Sequence, residues 1–323
     1  MRNIKIAFSC SNEYAQYLKV TIASILKNAS KLDTYEFFVL DGGLSNETKL
    51  SLEKLKKIKN FSLTFKSVEK KDFNNFHSTG YYIPVLYYKF LLPELIKNAD
   101  KIIYLDCDII VTKDIAQLWD ISMNDHYIAA VEDIFPAVAN GIYSRKKGYV
   151  NTGMLLINSK KWRLTNLTNK LLKYSLSNKL MWMDQDAIND IVPARKILHL
   201  NFCWNVQATY FYQDSIYNRH SLKSQILSAR KKPFIVHYLG QKPWENSFVP
   251  MGYLWFKYKS YVSFYLNNSI SKTLIDLSFA FFLYIFPYIR KYFINFYRTD
   301  RGINIQLFHF LKTKVFPLPE QKQ

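Results

Sequence analysis

Short apolar runs of strand length alternate with amphipathic stretches over the first three quarters of the chain. Apolar residues 4–10 are followed by residues 14–26, where apolar positions recur at intervals of three or four. The pattern predicts strands at 4–10, 35–40, 61–68, 101–111, 127–131, 154–157 and 234–239. It predicts helices at 14–26, 45–57, 84–92, 167–176 and 184–192. Strands that alternate with helices favour an α/β fold, in which helices cover both faces of a sheet.

The composition shifts near residue 250. Beyond it the chain is rich in Phe and Tyr, with basic residues such as Arg290 and Lys291 among them. Asp276 and Pro287 interrupt the apolar stretch, which disfavours a single membrane-spanning helix. We therefore expect an α/β domain over 1–250 and a helical accessory region over 251–323. A basic and aromatic helix suits attachment to an anionic membrane surface, and packing against the α/β domain is the alternative.

The net charge indicates which partners the protein binds, and the cysteines indicate its cellular compartment. Lys plus Arg number 44 and Asp plus Glu number 25, a net charge of +19, which predicts an acidic partner such as nucleic acid, an anionic membrane or a phosphorylated substrate. The sequence carries no helix-turn-helix signature, zinc knuckle or ribonucleoprotein aromatic motif, so nucleic acid is not expected as a partner.

Cys10, Cys107 and Cys203 are far apart and form no C-x-x-C motif, which predicts free thiols and a cytoplasmic protein. The first apolar run is too short for a signal peptide and is assigned to a strand.

Two carboxylates interrupt the most apolar strand of the chain. Asp106 and Asp108 lie inside the run 101–111, and residues two apart on a strand point to the same face. Neighbouring carboxylates repel each other, and burying an unpaired charge is costly. The pair therefore needs a divalent cation bound by the carboxylate oxygens, or it marks the point where the strand leaves the sheet. A pair of ordinary turn or cap carboxylates is the alternative.

Three further motifs follow in the chain. Residues 149–162 form a polar loop that leads into a buried strand, residues 183–189 open a helix with acidic and amide groups, and residues 236–244 place a His, a Gly and a Lys after a strand. Haloacid-dehalogenase phosphatases also carry D-x-D after an apolar strand, with the first Asp as nucleophile, but close to the N-terminus. The four motifs in this order resemble the retaining glycosyltransferases of family eight, over residues 4–244. That family includes bacterial lipopolysaccharide galactosyl- and glucosyltransferases.

The resemblance implies a GT-A fold, which is a Rossmann-like sheet that binds a nucleotide sugar and carries helices on both faces. It implies UDP-glucose or UDP-galactose as the donor, and Mn²⁺ or Mg²⁺ held by Asp106, Asp108 and His237. The implied nucleotide-binding residues are Ser9, Ser11, Glu13, Tyr14, Asp106, Cys107, Gly240 and Lys242. The implied sugar-binding residues are Lys89, Asn151, Thr152, Asp184 and Gln185, of which Asp184 and Gln185 are also the catalytic residues.

The lipopolysaccharide members imply the acceptor and the location as well. The acceptor is then a lipid-linked oligosaccharide, the core of lipopolysaccharide or lipooligosaccharide. The enzyme is then peripheral on the inner face of the cell membrane, where the accessory region meets anionic lipid. Two other functions remain open at this point: a Mg²⁺-dependent phosphatase that uses Asp106, and a non-enzymatic basic module that binds membrane or nucleic acid.

The chain departs from the family pattern at two basic positions. Lys89 stands where the family has an Arg that contacts the sugar, so the charge is kept and the planar fork is lost. The family motif H-x-x-G-x-x-K has one residue fewer here, between Gly240 and Lys242. The amide of Gln185 is a weak nucleophile, which disfavours a double displacement through this residue. Instead we expect the acceptor hydroxyl to attack the anomeric carbon on the face from which the diphosphate leaves.

Overall fold

The computed structural model describes residues 1–69, 84–134, 148–211, 222–267 and 269–299, together with Phe73 and Phe76. For Asn267 and residues 287–299 it describes the backbone alone. Residues 300–323, the end of the expected accessory region, lie outside this part of the chain.

The described elements follow the alternating order that the sequence predicts. The strands are β1 (Asn3–Cys10), β2 (Thr34–Asp41), β3 (Ser62–Ser67), β4 (Lys101–Leu105), β5 (Ile109–Val111), β6 (Ile128–Val131), β7 (Met154–Asn158), β8 (Ile197–Leu200), β9 (Val206–Gln207) and β10 (Ile235–His237). The helices are α1 (Ala15–Asn28), α2 (Asn46–Glu53), α3 (Leu92–Leu95), α4 (Ala116–Trp119), α5 (Ser159–Leu164), α6 (Leu167–Ser177), α7 (Met183–Ile191), α8 (Lys223–Lys231), α9 (Gly252–Asn267) and α10 (Ile270–Thr299). The predicted helix at 84–92 is a 3₁₀ helix over Pro84–Leu91.

A seven-stranded mixed sheet in the order β3-β2-β1-β4-β7-β6-β8 forms the centre of the fold. Strand β7 runs antiparallel to both β4 and β6, and the other neighbours are parallel. Residues of one strand alternate between two hydrophobic clusters, as Phe8 and Ala7 of β1 do. Both faces of the sheet are therefore buried, and the predicted α/β fold is confirmed.

The apolar run 101–111 is not one strand. It divides into β4, which lies in the large sheet, and β5, which lies in a three-stranded sheet of order β5-β10-β9. The break falls at Asp106 and Asp108, so the prediction of a single strand is wrong, and the second interpretation of this pair, a point where the chain leaves the sheet, is correct. In the small sheet His237 pairs antiparallel with Ile109 and parallel with Gln207, which sets the imidazole beside the chain break.

Helices α9 and α10 pack together over the small sheet. Their buried side chains form one cluster with residues of β5 and β10, including Ile110 and Val236. Asp276 of α10 is buried, and it accepts hydrogen bonds from Lys259 at 2.8 Å and Ser263 at 2.7 Å. Helix α10 runs without a break through this aspartate and through Pro287. Among the described residues, no helix combines the length and the apolar character needed to cross a membrane.

Candidate active site

A cleft of about 430 Å³ opens at the carboxyl ends of β1 and β4. The carboxyl ends of parallel strands meet at one edge of a sheet, which is where open α/β folds bind ligands. The predicted residues that line the cleft are Ser9, Ser11, Tyr14, Lys89, Asp106, Cys107, Asp108, Asn151, Thr152, Asp184, Gln185, His237, Gly240 and Lys242. Glu13 is exposed and lies outside this lining, so the fold does not bring it to the cleft.

Backbone hydrogen bonds fix both aspartates at the break between the sheets. The amide of Asp106 donates to the carbonyl of Gly153 at 2.8 Å, which continues the pairing of β4 with β7. The amide of Tyr238 donates to the carbonyl of Asp108 at 3.1 Å, which extends the pairing of β5 with β10. The turn between these bonds projects two carboxylates toward His237.

The three side chains fit a divalent cation. One ligand atom from each of Asp106, Asp108 and His237 can be chosen so that all lie within 4.8 Å of one another. Nε2 of His237 lies 3.3 Å from Oδ1 of Asp108 and 3.8 Å from Oδ2 of Asp106. This nitrogen is buried, and within the described part of the chain it has no partner with hydrogen-bond geometry. A buried nitrogen without a partner, facing two carboxylates, is the donor set that a first-row divalent ion prefers.

Lys242 reaches the same carboxylate from the other side. Its ammonium group donates to Oδ2 of Asp108 and, at 2.7 Å, to the carbonyl of Tyr238. Burial alone raises the pKa of Asp108, but opposing contributions, of which the charge of Lys242 is the largest, hold that pKa well below its usual value. Asp108 is therefore ionised and shared between a lysine and the candidate metal position.

Lys89 is a buried cation beside the candidate metal ligands. Its ammonium group lies 2.7 Å from Oδ2 of Asp184 and 3.6 Å from Oδ1 of Asp106, and it donates to the carbonyl of Thr152 at 3.2 Å. It also lies 4.5 Å from the centre of the Tyr104 ring, whose hydroxyl donates to Asp106 at 2.6 Å. Burial lowers the pKa of Lys89, but the two carboxylates raise it more, so the net pKa is above its usual value. The group stays charged despite complete burial.

The carboxamide of Gln185 is held on both sides. Its Oε1 accepts from Nδ2 of Asn151 at 3.0 Å and from the amide of Thr152 at 3.2 Å. Its Nε2 donates to Oδ2 of Asp133 at 3.0 Å. Because both ends of the amide have fixed hydrogen-bond partners, its orientation in the cleft is determined.

The start of α7 directs Asp184 and Gln185 into the cleft. Met183, the first residue of the helix, has a φ of 42°, an uncommon value for a side chain of this kind. Asp186 secures this turn, because its carboxylate accepts from the amide of Trp182 at 2.8 Å and from the hydroxyl of Tyr149 at 2.6 Å. A constrained turn at a cleft is a common feature of ligand sites.

Two serine side chains at the end of β1 also line the cleft. Oγ of Ser9 and of Ser11 are buried and have no hydrogen-bond partner among the described residues. The thiol of Cys107 donates to the carbonyl of Ser9 at 3.3 Å, and the carbonyl of Cys107 accepts from Thr21 at 2.7 Å. These contacts tie the end of β1 to the aspartate turn. Tyr14, 41% exposed, lies at the rim.

Three residues in or behind the cleft were not predicted. Asp133 accepts from both Asn151 and Gln185, and its position two residues after β6 was the available signal. Gly153 leaves no space for a side chain, because an added Cβ would lie 2.2 Å from Cε1 of His237. Asn205 joins His237 to Asn151 and belongs to no recognisable motif.

The chain is similar to several proteins that are described as glycosyltransferases. The family model described as Glycosyl transferase family 8 matches residues 5–247. A putative glycosyltransferase of Haemophilus influenzae is 31% identical over 280 residues, which covers 84% of this chain and 78% of that protein. Lipopolysaccharide glucosyltransferase WaaO of Escherichia coli is 28% identical over 183 residues, 52% of this chain and 51% of that protein. The crystal structure of galactosyltransferase LgtC with donor and acceptor sugar analogs has a TM-score of 0.68 at 23% identity, covering 84% and 97%. That likeness confirms the GT-A fold.

Proposed function

Because the chain belongs to glycosyltransferase family 8, we propose that it transfers glucose or galactose from a UDP-sugar to the oligosaccharide of a membrane lipid. The transfer retains the anomeric configuration and depends on a divalent metal, Mn²⁺ or Mg²⁺. The observation that carries the proposal is the convergence of Asp106, Asp108 and His237 beside the buried Lys89 and Asp184. Family membership favours sugar transfer over both a phosphatase that uses Asp106 and a non-enzymatic binding module.

The donor occupies the cleft with its diphosphate at the two aspartates. A metal held by Asp106, Asp108 and His237 supplies positive charge that stabilises the leaving diphosphate. Lys242 adds an ammonium group at the same place. The buried hydroxyls of Ser9 and Ser11 are available to the nucleoside, as is the ring of Tyr14. Gly240 leaves room for the phosphates, because a Cβ added there would meet no atom within 4 Å.

The sugar lies against the network of Lys89, Asp184 and Gln185. Asp184 accepts from Thr152 at 2.9 Å and binds sugar hydroxyls with its remaining capacity. The neutral amide of Gln185 is a weak nucleophile, so we favour direct attack. The acceptor oxygen bonds to the anomeric carbon on the face from which UDP leaves, the bond from that carbon to the phosphate oxygen breaks, and the acceptor proton passes to the departing phosphate.

The accessory helices support attachment to a membrane surface. Five of the six exposed apolar residues in the described part of α10 recur at helical spacing, and we name them the α10 stripe: Ile270, Leu274, Leu277, Phe281 and Tyr284. An exposed apolar stripe on a strongly basic protein suits the interface of an anionic bilayer. We therefore propose peripheral binding to the inner face of the cell membrane, where a lipid-linked acceptor is within reach.

The proposal is tested by release of UDP from UDP-glucose and UDP-galactose, with Mn²⁺ and with a chelator. Asp108→Asn should reduce Mn²⁺-dependent release by at least about a hundredfold, because it removes a charged ligand. Asp114→Asn is the matched control, since Asp114 accepts from the amide of Ala116 and is absent from the cleft lining. Unchanged release in Asp108→Asn excludes the metal site.

A second arm of the experiment identifies the acceptor and the stereochemistry. Extracted lipopolysaccharide is added with the better donor, and the anomeric configuration of the new linkage is determined by NMR. An α-linkage from these α-configured donors supports retention, and a β-linkage contradicts it. A phosphoaspartate trapped at Asp106 would instead support the phosphatase.

A further inference from the structure

Asn205 lies directly behind the candidate metal site and is completely buried. It ends the 3₁₀ helix Phe202–Asn205, one residue before β9. Oδ1 of Asn205 lies 3.1 Å from Nδ1 of His237, and its Nδ2 donates to Oδ1 of Asn151 at 2.8 Å. One carboxamide therefore joins a candidate metal ligand to the loop that contacts Gln185.

The direction of every hydrogen bond in this chain of side chains is fixed from one end. The backbone amide of Gly153 can only donate, and it donates to the side chain of Asn151 at 3.0 Å, so the atom of Asn151 at that place is an oxygen. The same oxygen accepts from Asn205, which must therefore present its nitrogen on that side and its oxygen to His237. An oxygen facing Nδ1 of His237 requires that Nδ1 carries the proton.

The consequence falls on the other ring nitrogen. A neutral imidazole protonated at Nδ1 carries its lone pair on Nε2. Nε2 is the atom that faces Asp106 and Asp108 and has no hydrogen-bond partner among the described residues. The ring is thus held in the tautomer and the orientation that a metal ligand needs, before any ion binds.

We propose that Asn205 is a positioning residue, which fixes the tautomer of His237 for metal binding and, through Asn151, fixes the metal site relative to Gln185. The inference rests on the proposed function, because it assumes that a divalent ion binds His237. It concerns a residue that touches neither the ion nor the sugar, and that acts through two side chains which do.

Two substitutions separate the two halves of this role. Asn205→Leu has similar volume and removes both hydrogen bonds. Asn205→Asp keeps an oxygen for Nδ1–H of His237, but it replaces the donor to Asn151 by a second acceptor. The control is Asn28→Leu, because Asn28 is likewise a hydrogen-bonded asparagine. Its Nδ2 lies within hydrogen-bond distance of the carbonyls of Ser24 and Val111 and of the hydroxyl of Tyr258, and the residue is absent from the cleft lining.

The readout is binding of Mn²⁺ to the full-length chain without any sugar nucleotide, measured by the loss of the free-ion signal in electron paramagnetic resonance. We expect Asn205→Leu to bind Mn²⁺ about tenfold more weakly or worse, which is the usual effect of losing such a partner. We expect the Mn²⁺ affinity of Asn205→Asp to lie within a few fold of that of the parent. We expect its hexose transfer to be slower than that of the parent. Asn28→Leu should bind as the parent does.

The tautomer itself is visible by NMR. In the ion-free protein labelled with ¹⁵N-histidine, the His237 ring of the parent should show a protonated Nδ1, and Asn205→Leu should show a mixture of the two tautomers. Parent-like Mn²⁺ affinity in Asn205→Leu overturns the inference and leaves the proposed function intact. If Asn205→Leu does not fold, Mn²⁺ binding by Asn205→Asp more than tenfold weaker than the parent overturns it. A parent chain that binds no Mn²⁺ overturns both the inference and the metal dependence.

Discussion

The ammonium group of Lys89 lies 2.7 Å from a carboxylate oxygen of Asp184, and both side chains are almost completely buried. Asp106 lies 3.6 Å from the same ammonium group, so one cation neutralises two carboxylates of the cleft together. Removing one partner of a buried pair leaves a charge without compensation, which costs more than the pair contributes. The stability of the fold and the charge of the cleft are therefore linked at Lys89.

We predict that Lys89→Met lowers the free energy of unfolding by about 3 kcal/mol, because Asp184 and Asp106 are left unpaired. Adding Asp184→Asn to this variant should recover part of the loss, since one of the unpaired carboxylates becomes neutral. Urea unfolding of the two single variants and the double variant measures the coupling. Additive losses would show that the pair is not coupled.

An exposed ion pair is the control for this cycle. Lys161 lies 2.9 Å from Asp125, and both side chains are substantially exposed. Solvent screens such a pair, so Lys161→Met should leave the urea midpoint almost unchanged. The contrast between Lys161 and Lys89 then reports burial rather than the loss of a lysine in general.

Gly153→Ala should disrupt the metal site specifically. A Cβ at this position would lie 2.2 Å from Cε1 of His237 and 2.7 Å from Oδ2 of Asp106, so both ligands must move. We predict that Mn²⁺ affinity falls by about tenfold or more, by analogy with the loss of other groups that position ligands. Calorimetric titration with Mn²⁺ measures this effect.

Gly252→Ala is the control for steric strain away from the cleft. Its Cβ would lie 2.8 Å from the carbonyl oxygen of Ser247, so the variant also carries a clash. It should lose thermal stability and keep the Mn²⁺ affinity of the parent. Equal loss of metal affinity in both glycine variants would mean that the effect of Gly153→Ala is a general loss of stability.

The periodicity of apolar residues predicted most of the large sheet, because its central strands bury both faces and are therefore apolar along their length. The same logic failed at residues 101–111, where the run is apolar on both sides of the aspartates. The strand divides there because Asp106 pairs with Gly153 of one sheet and Asp108 pairs with Tyr238 of the other. Both partners are distant in sequence, so a local pattern does not contain this information.

The sequence did not predict Asn205, a supporting residue that lies outside the recognised motifs. Asn205 has no charge and lies in a short 3₁₀ helix, where an asparagine is unremarkable. Its importance arises only when folding brings His237 and Asn151 to its two ends. The sequence also did not predict that Lys242 contacts Asp108. The shortened spacing between Gly240 and Lys242 does not show which way the lysine side chain points.

Lys242→Met should change metal and nucleotide binding in opposite directions. The ammonium group of Lys242 contacts Oδ2 of Asp108, so a metal competes with it for this carboxylate. We predict that Mn²⁺ binds the donor-free variant severalfold more tightly, because the competing charge is gone. UDP should bind severalfold more weakly at saturating Mn²⁺, because a positive charge near the diphosphate is lost. Calorimetric titrations with Mn²⁺ and with UDP measure the two constants.

Lys101→Met is the matched control for this prediction. Lys101 donates to the backbone carbonyls of Trp119 and Ile121, and it is absent from the cleft lining. Both binding constants should match those of the parent. Weaker Mn²⁺ binding in Lys242→Met would contradict competition and would assign the lysine a supporting role at the metal site.

Phe281→Glu should weaken binding to anionic membranes. Phe281 lies in the α10 stripe and is 64% exposed, so the substitution is tolerated by the fold but places a carboxylate where the bilayer interface is expected. Burial of such a ring contributes about 2 kcal/mol, which corresponds to a loss of more than about tenfold in the partition coefficient. Sedimentation with vesicles of phosphatidylethanolamine and phosphatidylglycerol measures the binding, and added salt should weaken it further. Leu164→Glu on α5 is the control and should bind vesicles as the parent does, since Leu164 is 73% exposed and lies outside the α10 stripe. Equal vesicle binding by Phe281→Glu and the parent would exclude the stripe as the contact surface.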